Sequence, residues 1–135
     1  MFVRQKPGIR KRHGATTVEL AVVLPLIFLI FFSGWDISRV SMIRHTADNA
    51  VYEGCRVGIL PGATADAVRL KTSQILSTAA TNSAMISIHP QVIRSRTKNI
   101  TVRVEVPLDA NSFTTRHLFA GKTIVRELKM RREVP

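Results

Sequence analysis

The chain reads as an α+β protein in which a long N-terminal helix crosses a membrane and continues into a small domain with a second helix and a three-stranded antiparallel sheet. Three observations predict this. Residues 20–32 are thirteen consecutive residues without a polar side chain, lying behind a basic arm. From Asp36 to about Val57, apolar and small residues recur at three- and four-residue steps, which is the helical period. Beyond Asn82 the period falls to two, as Ile100, Val102, Val104 and Val106 alternate with Thr101, Arg103 and Glu105, the signature of a half-buried strand. At 135 residues there is room for one modest domain and an appendage.

Charge is concentrated at the start. Of the 20 Lys and Arg residues, Arg4, Lys6, Arg10, Lys11 and Arg12 precede Gly14, and all 9 Asp and Glu residues follow it. A basic chain attracts phosphate without regard to its source, but cations clustered beside an apolar run favour lipid head groups over nucleic acid. Cys55 is the single cysteine, which excludes an intrachain disulfide and a CxxC site and suits a small packed apolar residue.

The first element is the span. Residues 15–35 are 21 residues ending in Trp35, and a helix needs about 20 largely apolar residues to cross the hydrocarbon core, with Trp favoured at the interface. Leu20, Leu24, Pro25, Leu26, Phe28 and Phe32 supply its apolar surface. Five cations before it against only Arg39 and Arg44 shortly after it place the N-terminus in the cytoplasm. A secretory signal peptide is the rival, but Phe32-Ser33-Gly34 makes a poor cleavage site, with Phe where a small residue is wanted. No later stretch repeats this hydrophobic length, so the chain is single-pass. The expected organisation is a basic cytoplasmic leader (1–14), a transmembrane helix (15–35), its extra-membrane continuation (36–60) and a small α/β domain outside the cytoplasm (61–135).

Glu19 is the anomaly, because an acid at the centre of a lipid-embedded helix costs roughly 2.5 to 3.5 kcal/mol on insertion scales. Either it lies at the cytoplasmic interface and is solvated, or it has a partner. A cut after Gly14 would give Ala15 an α-ammonium one helical turn from Glu19, and the two could neutralise each other within a subunit or between neighbours.

After the span, Ile37, Val40, Ile43, Ala47, Val51, Gly54 and Gly58 form one face of the continuing helix, and Arg39, Asp48, Asn49, Glu53 and Arg56 the solvated one. The Gly54 and Gly58 pair either admits another helix or packs against the domain's own sheet. Pro61-Gly62 ends the helix. Thr64 caps a second one, with Val68, Ile75, Leu76 and Ala79 inward and Arg69, Lys71 and Gln74 outward, and Asn82-Ser83 breaks it. Strands follow around Ile86 and Ile88, with Pro90 at an edge, and from Ile100 to Val106. Thr97-Lys-Asn99 is the turn between them and Pro107 the end. Residues 109–121, with Phe113, Leu118 and Phe119, form a short helix or an ordered loop, and residues 123–132 a third strand favoured by Ile124-Val125.

Catalytic chemistry is not indicated. His13, His45, His89 and His117 are scattered without metal-ligand spacing, and there is no GxSxG, HExxH, P-loop or dinucleotide fingerprint. No metal, cofactor, nucleic acid or small-molecule substrate is expected. Lys11-Arg12 and Arg131-Arg132 read as topogenic and solvated.

Gly14-Ala-Thr-Thr-Val-Glu19 followed by an apolar helix resembles the class III signal of type IV prepilins, which a prepilin peptidase cuts after glycine to leave glutamate at the fifth mature position. More narrowly, Arg12-His-Gly-Ala-Thr-Thr-Val-Glu-Leu-Ala21, Leu24-Pro-Leu26, Gly34-Trp-Asp-Ile-Ser-Arg39 and Tyr52-Glu-Gly-Cys-Arg-Val-Gly58 are similar to the TadE-like pseudopilins of the tight-adherence (Tad/Flp, type IVc) pilus machinery. Leu20 stands where family members often carry an aromatic, and Ala15 where other type IV pilins usually have phenylalanine. The resemblance implies a pilin-like fold and a minor pilin, not an enzyme, in the bacterial inner membrane with its domain in the periplasm, or in a pilus. It implies cleavage between Gly14 and Ala15, and as partners prepilin peptidase, other pilins or pseudopilins, platform proteins of the inner membrane and the lipid bilayer. The alternative is an uncleaved single-span protein whose outer domain binds another envelope partner.

Overall fold

A single helix, α1 (His13–Gly58, 46 residues), runs for about 69 Å at 1.5 Å per residue and carries everything else on its second half. The computed structural model describes residues 13–111 and 121–132. Residues 1–12, the segment with Phe113, His117, Leu118 and Phe119, and Glu133 lie outside these. The helix starts before Ala15, so Gly14 falls in its first turn, and it continues through Pro25 although proline removes the bond to the Ala21 carbonyl.

The second helix, α2 (Ala65–Thr78), has Thr64 as its N-cap, whose Oγ1 accepts from the Ala67 N–H at 3.2 Å. This satisfies one of the donors that a helix start leaves open. The helix ends at Thr78, short of the expected break at Asn82-Ser83. The Ala79 N–H turns back to the Leu76 carbonyl and the Ala80 N–H to the Ser77 carbonyl, and Ala80 sits at φ 47°, in the left-handed region that reverses a chain.

Three strands follow in sheet order: β1 (Met85–His89), β2 (Asn99–Pro107) and β3 (Thr123–Arg131), both pairings antiparallel. The register sets Ile88 opposite Val102 and Val102 opposite Leu128. The final segment is thus a strand, as Ile124-Val125 suggests, and Pro90 lies just past the end of an edge strand.

Both helices pack on one face of the sheet. Ile100, Val102, Val104 and Val106 are fully buried there with Ile43, Ala47, Ala50 and Cys55 of α1 and Val68 of α2. A period of two meeting a period of 3.6 gives one core, and small residues on α1 let the layers approach. A Cβ on Gly54 would collide with Thr72 Oγ1, and one on Gly58 would stand 3.1 Å from Ile100 Cδ1 and 3.2 Å from Val68 Cγ2. The glycine pair therefore seats α1 against α2 and β2 of the same chain. The opposite sheet face carries Ser87, His89, Thr101, Arg103, Glu105, Glu127 and Lys129; Arg103 joins Glu105 at 2.7 Å and Glu127 at 3.7 Å.

Three assignments shift, and one residue given no face by the pattern, Thr72, turns inward. Ile37 is 65% exposed while Asp36 beside it is 1% exposed, so the inward face enters the domain one residue earlier than the apolar pattern indicates. Arg39 is half-buried and bonded to carbonyls of the domain, not solvated. Thr72 is buried, its hydroxyl donating to the Val68 carbonyl at 2.8 Å. Arg132 is buried too, because its guanidinium donates to the Leu60 carbonyl at 3.0 Å and the Arg94 carbonyl at 3.1 Å. For Arg39, Thr72 and Arg132 the partner lies across the fold or inside a helix turn, where hydropathy patterning does not register it.

Candidate functional site: a bare apolar helix and its neck

The first part of α1 touches almost nothing else in the chain. Leu20, Leu26, Phe28 and Leu29 are all more than half exposed, and Leu24 and Phe32 are open as well. Soluble monomers rarely expose so continuous an apolar surface. Because the exposure runs around the whole circumference, it calls for a surrounding apolar medium and not for one partner on one side. By length and composition α1 is long and apolar enough to cross a membrane, which fits a single-pass membrane protein.

The side chains inside this stretch are organised for such a medium. Phe28 and Phe32, one turn apart, stack with ring centroids 6.1 Å apart, and Phe31 meets Phe32 edge-on at 5.6 Å. Ser33 donates its hydroxyl to the Leu29 carbonyl at 2.7 Å, which removes a polar group that lipid would not solvate. Glu19 is exposed, four residues past Ala15, and is the one carboxylate in residues 15–35.

Gly14 is exposed, and nothing stands within 4 Å of where a Cβ would be. It is the second residue of the helix. The N–H groups of a first turn have no helical acceptors, and glycine costs a helix about 1 kcal/mol relative to alanine. Among the described residues, nothing is packed over the Gly14 position. Gly14, Ala15 and Glu19 are brought together on the first two turns; Gly54 and Gly58 lie at the other end of the helix, inside the domain.

Between bare and packed halves is a neck. Trp35 is 62% exposed and Asp36 is buried. Arg39 Nε donates to the Asn111 carbonyl at 2.9 Å, and its Nη2 reaches the Ala80 carbonyl at 3.4 Å. Asn111 in turn donates to the Pro107 and Asn82 carbonyls and accepts from the Asn82 N–H. One arginine thus fastens the helix to both loops at the base of the domain. This role is not legible from local patterning, since the contacts bridge 41 and 72 residues.

Elsewhere, Cys55 is fully buried and donates to the Leu128 carbonyl at 3.2 Å. Burial raises its thiol pKa, opposed in part by a backbone hydrogen bond at Val102. His45 and His89 stand on different elements, and among the described residues no three His, Cys, Asp or Glu side chains gather to hold a metal.

Comparison with known proteins adds one finding. The family of TadE-like proteins matches the chain over residues 14–56, from the glycine at the helix start to within two residues of the helix end. No curated protein and no solved structure matches the chain.

Proposed function

We propose, from residues 14–56 that are those of a TadE-like protein, that this chain is a minor pilin or pseudopilin of a Tad-type pilus assembly or secretion system. The observation that carries the reading is the juxtaposition at the start of α1: an uncovered glycine in the first turn, an exposed glutamate one turn after the following alanine, and an apolar rod bare on all sides. Prepilin peptidase cuts after Gly14, where a residue without side-chain bulk leaves the backbone unhindered. The mature chain waits in the bacterial inner membrane with its α/β domain in the periplasm. Assembly bundles the helices of this and other pilins or pseudopilins, and the Ala15 ammonium meets Glu19 of the same or a neighbouring subunit, offsetting the cost of an acid in lipid.

Two substitutions test this. Gly14→Val places a branched side chain at the cut and is expected to leave full-length precursor on a mass measurement in cells with the peptidase. Glu19→Ala is expected to be cut normally yet to enter the assembly several-fold less well. Cleavage of Gly14→Val at wild-type rate would remove the processing role, and normal assembly of Glu19→Ala would remove the charge pairing.

A further inference from the structure

The base of the domain, next to the neck, contains a groove of about 670 Å³ between α1 and the β2–β3 end of the sheet, lined by Val40, Arg44, Leu108, Lys122, Val125 and Arg126 among others. Among the described residues its charged lining is Arg44, Lys122 and Arg126. One of these cations already has an acid partner. Asp48 holds Arg126 Nε at 2.7 Å, as an ion pair without a well-aligned hydrogen bond. Asp109 accepts the Gly121 N–H on both oxygens at 3.0 Å, and Asp36 is buried in the neck. Arg44 and Lys122 are exposed, and the Lys122 carbonyl is fixed by the Leu108 N–H at 2.9 Å, which holds that wall in place.

Position gives the groove its ligand. Arg44 lies nine residues past Trp35, about 13.5 Å along the helix axis. Side chains on a helix lean toward its N-terminus, so the guanidinium is carried back toward Trp35. The head-group layer adds about 5 to 7 Å beyond the hydrocarbon on each side, so with the indole at its inner boundary the Val40 end of the groove, five residues or about 7.5 Å past Trp35, lies at the outer edge of that layer. The apolar edge from Val40 suits a glycerol backbone next to the charge.

We propose that this groove binds the phosphate of an anionic phospholipid in the leaflet from which α1 emerges, so that the domain sits on the membrane in one orientation. This rests on reading residues 15–35 as a span. Tethering by α1 keeps lipid phosphate at high effective concentration beside the groove, which a free phosphate or a nucleic acid does not have.

The test uses the full chain in detergent micelles, with bound lipid counted by native mass spectrometry during titration with phosphatidylglycerol or phosphatidylcholine. It is run with Arg4, Lys6, Arg10, Lys11 and Arg12 intact and with all five changed to glutamine. One phosphatidylglycerol is expected to be retained in preference to phosphatidylcholine in both backgrounds. Arg44→Gln and Lys122→Gln should each weaken that retention about five-fold, while Arg131→Gln, at the far end of β3, leaves it unchanged. Equal retention of the two lipids, selectivity lost only with the N-terminal cations, or displacement by millimolar glycerol phosphate would overturn the proposal. Release of the full chain from membranes by alkaline carbonate would overturn the span itself, and the groove proposal with it. Firm membrane retention without lipid selectivity would overturn the groove alone.

Discussion

The two halves of α1 share one backbone and have opposite surroundings. Residues 36–58 place Ile43, Ala47, Ala50, Gly54, Cys55 and Gly58 in a packed interior on one side and leave Asn49 and Tyr52 outward, whereas residues 20–32 are apolar on every side and covered on none. Periodicity accompanies a partner on one side; its absence, with apolar residues throughout, accompanies an apolar solvent. The comparison also separates two uses of small residues. Gly54 and Gly58 are required by close packing, while Gly14 stands in open space, so a packing constraint does not explain its presence.

The same change made in each half breaks the comparison most forcefully. Val102→Asp sets a charge in a fully buried site and is expected to cost more than about 4 kcal/mol, unfolding the domain as read by loss of protease resistance while the chain stays in the membrane. Val22→Asp, in the bare half, should do the reverse. It costs roughly 2.5 to 3.5 kcal/mol at insertion, read as a drop in membrane-integrated chain, and leaves the domain folded. If both variants fail in the same assay, the halves are not independent.

Gly54→Val sharpens the packing side. The added carbons meet Thr72 and Val102, and overpacking of this kind costs about 1 to 3 kcal/mol. A thermal unfolding midpoint lowered by several degrees is expected, against no shift for Gly34→Val, where nothing lies within 4 Å.

The smallest effect concerns Cys55. Its thiol pKa is raised by burial, so the unfolded chain loses its proton first as pH rises. The neutral thiol's contribution is therefore complete below the unfolded pKa and is lost as pH climbs from there through the folded value. Denaturant melts should show stability declining over that alkaline window in the wild type and less so in Cys55→Ala. At neutral pH, maleimide should label Cys55 only as fast as the domain opens.

Most of the architecture was legible in the sequence because it rests on local signals. A period of 3.6 gave α1, an N-cap threonine gave the start of α2, and alternation gave β1 and β2; the β-branched pair Ile124-Val125 gave β3. What escaped depends on partners distant in sequence. Arg39 bonded across 72 residues and Arg132 reaching Leu60 are donors whose placement depends on acceptors that the finished fold supplies, and Asp36 in place of Ile37 on the inward face is a polar residue where an apolar pattern points to its neighbour. The end of α2 escaped for a related reason, since a left-handed Ala80 leaves no mark in composition. In the candidate site, the spacing of Gly14, Ala15 and Glu19 is legible in the sequence and their role only as what the resemblance to prepilins implies, while the basic groove was not legible, because Arg44 and Lys122 line one groove only through the sheet.

The most direct measurement is the N-terminal sequence and intact mass of the chain recovered from membranes, with and without co-expressed prepilin peptidase. The account predicts a chain beginning at Ala15 when the peptidase is present and at the uncut start when it is absent. Recovery of the uncut chain in both cases, or of a chain starting beyond residue 33, would contradict it.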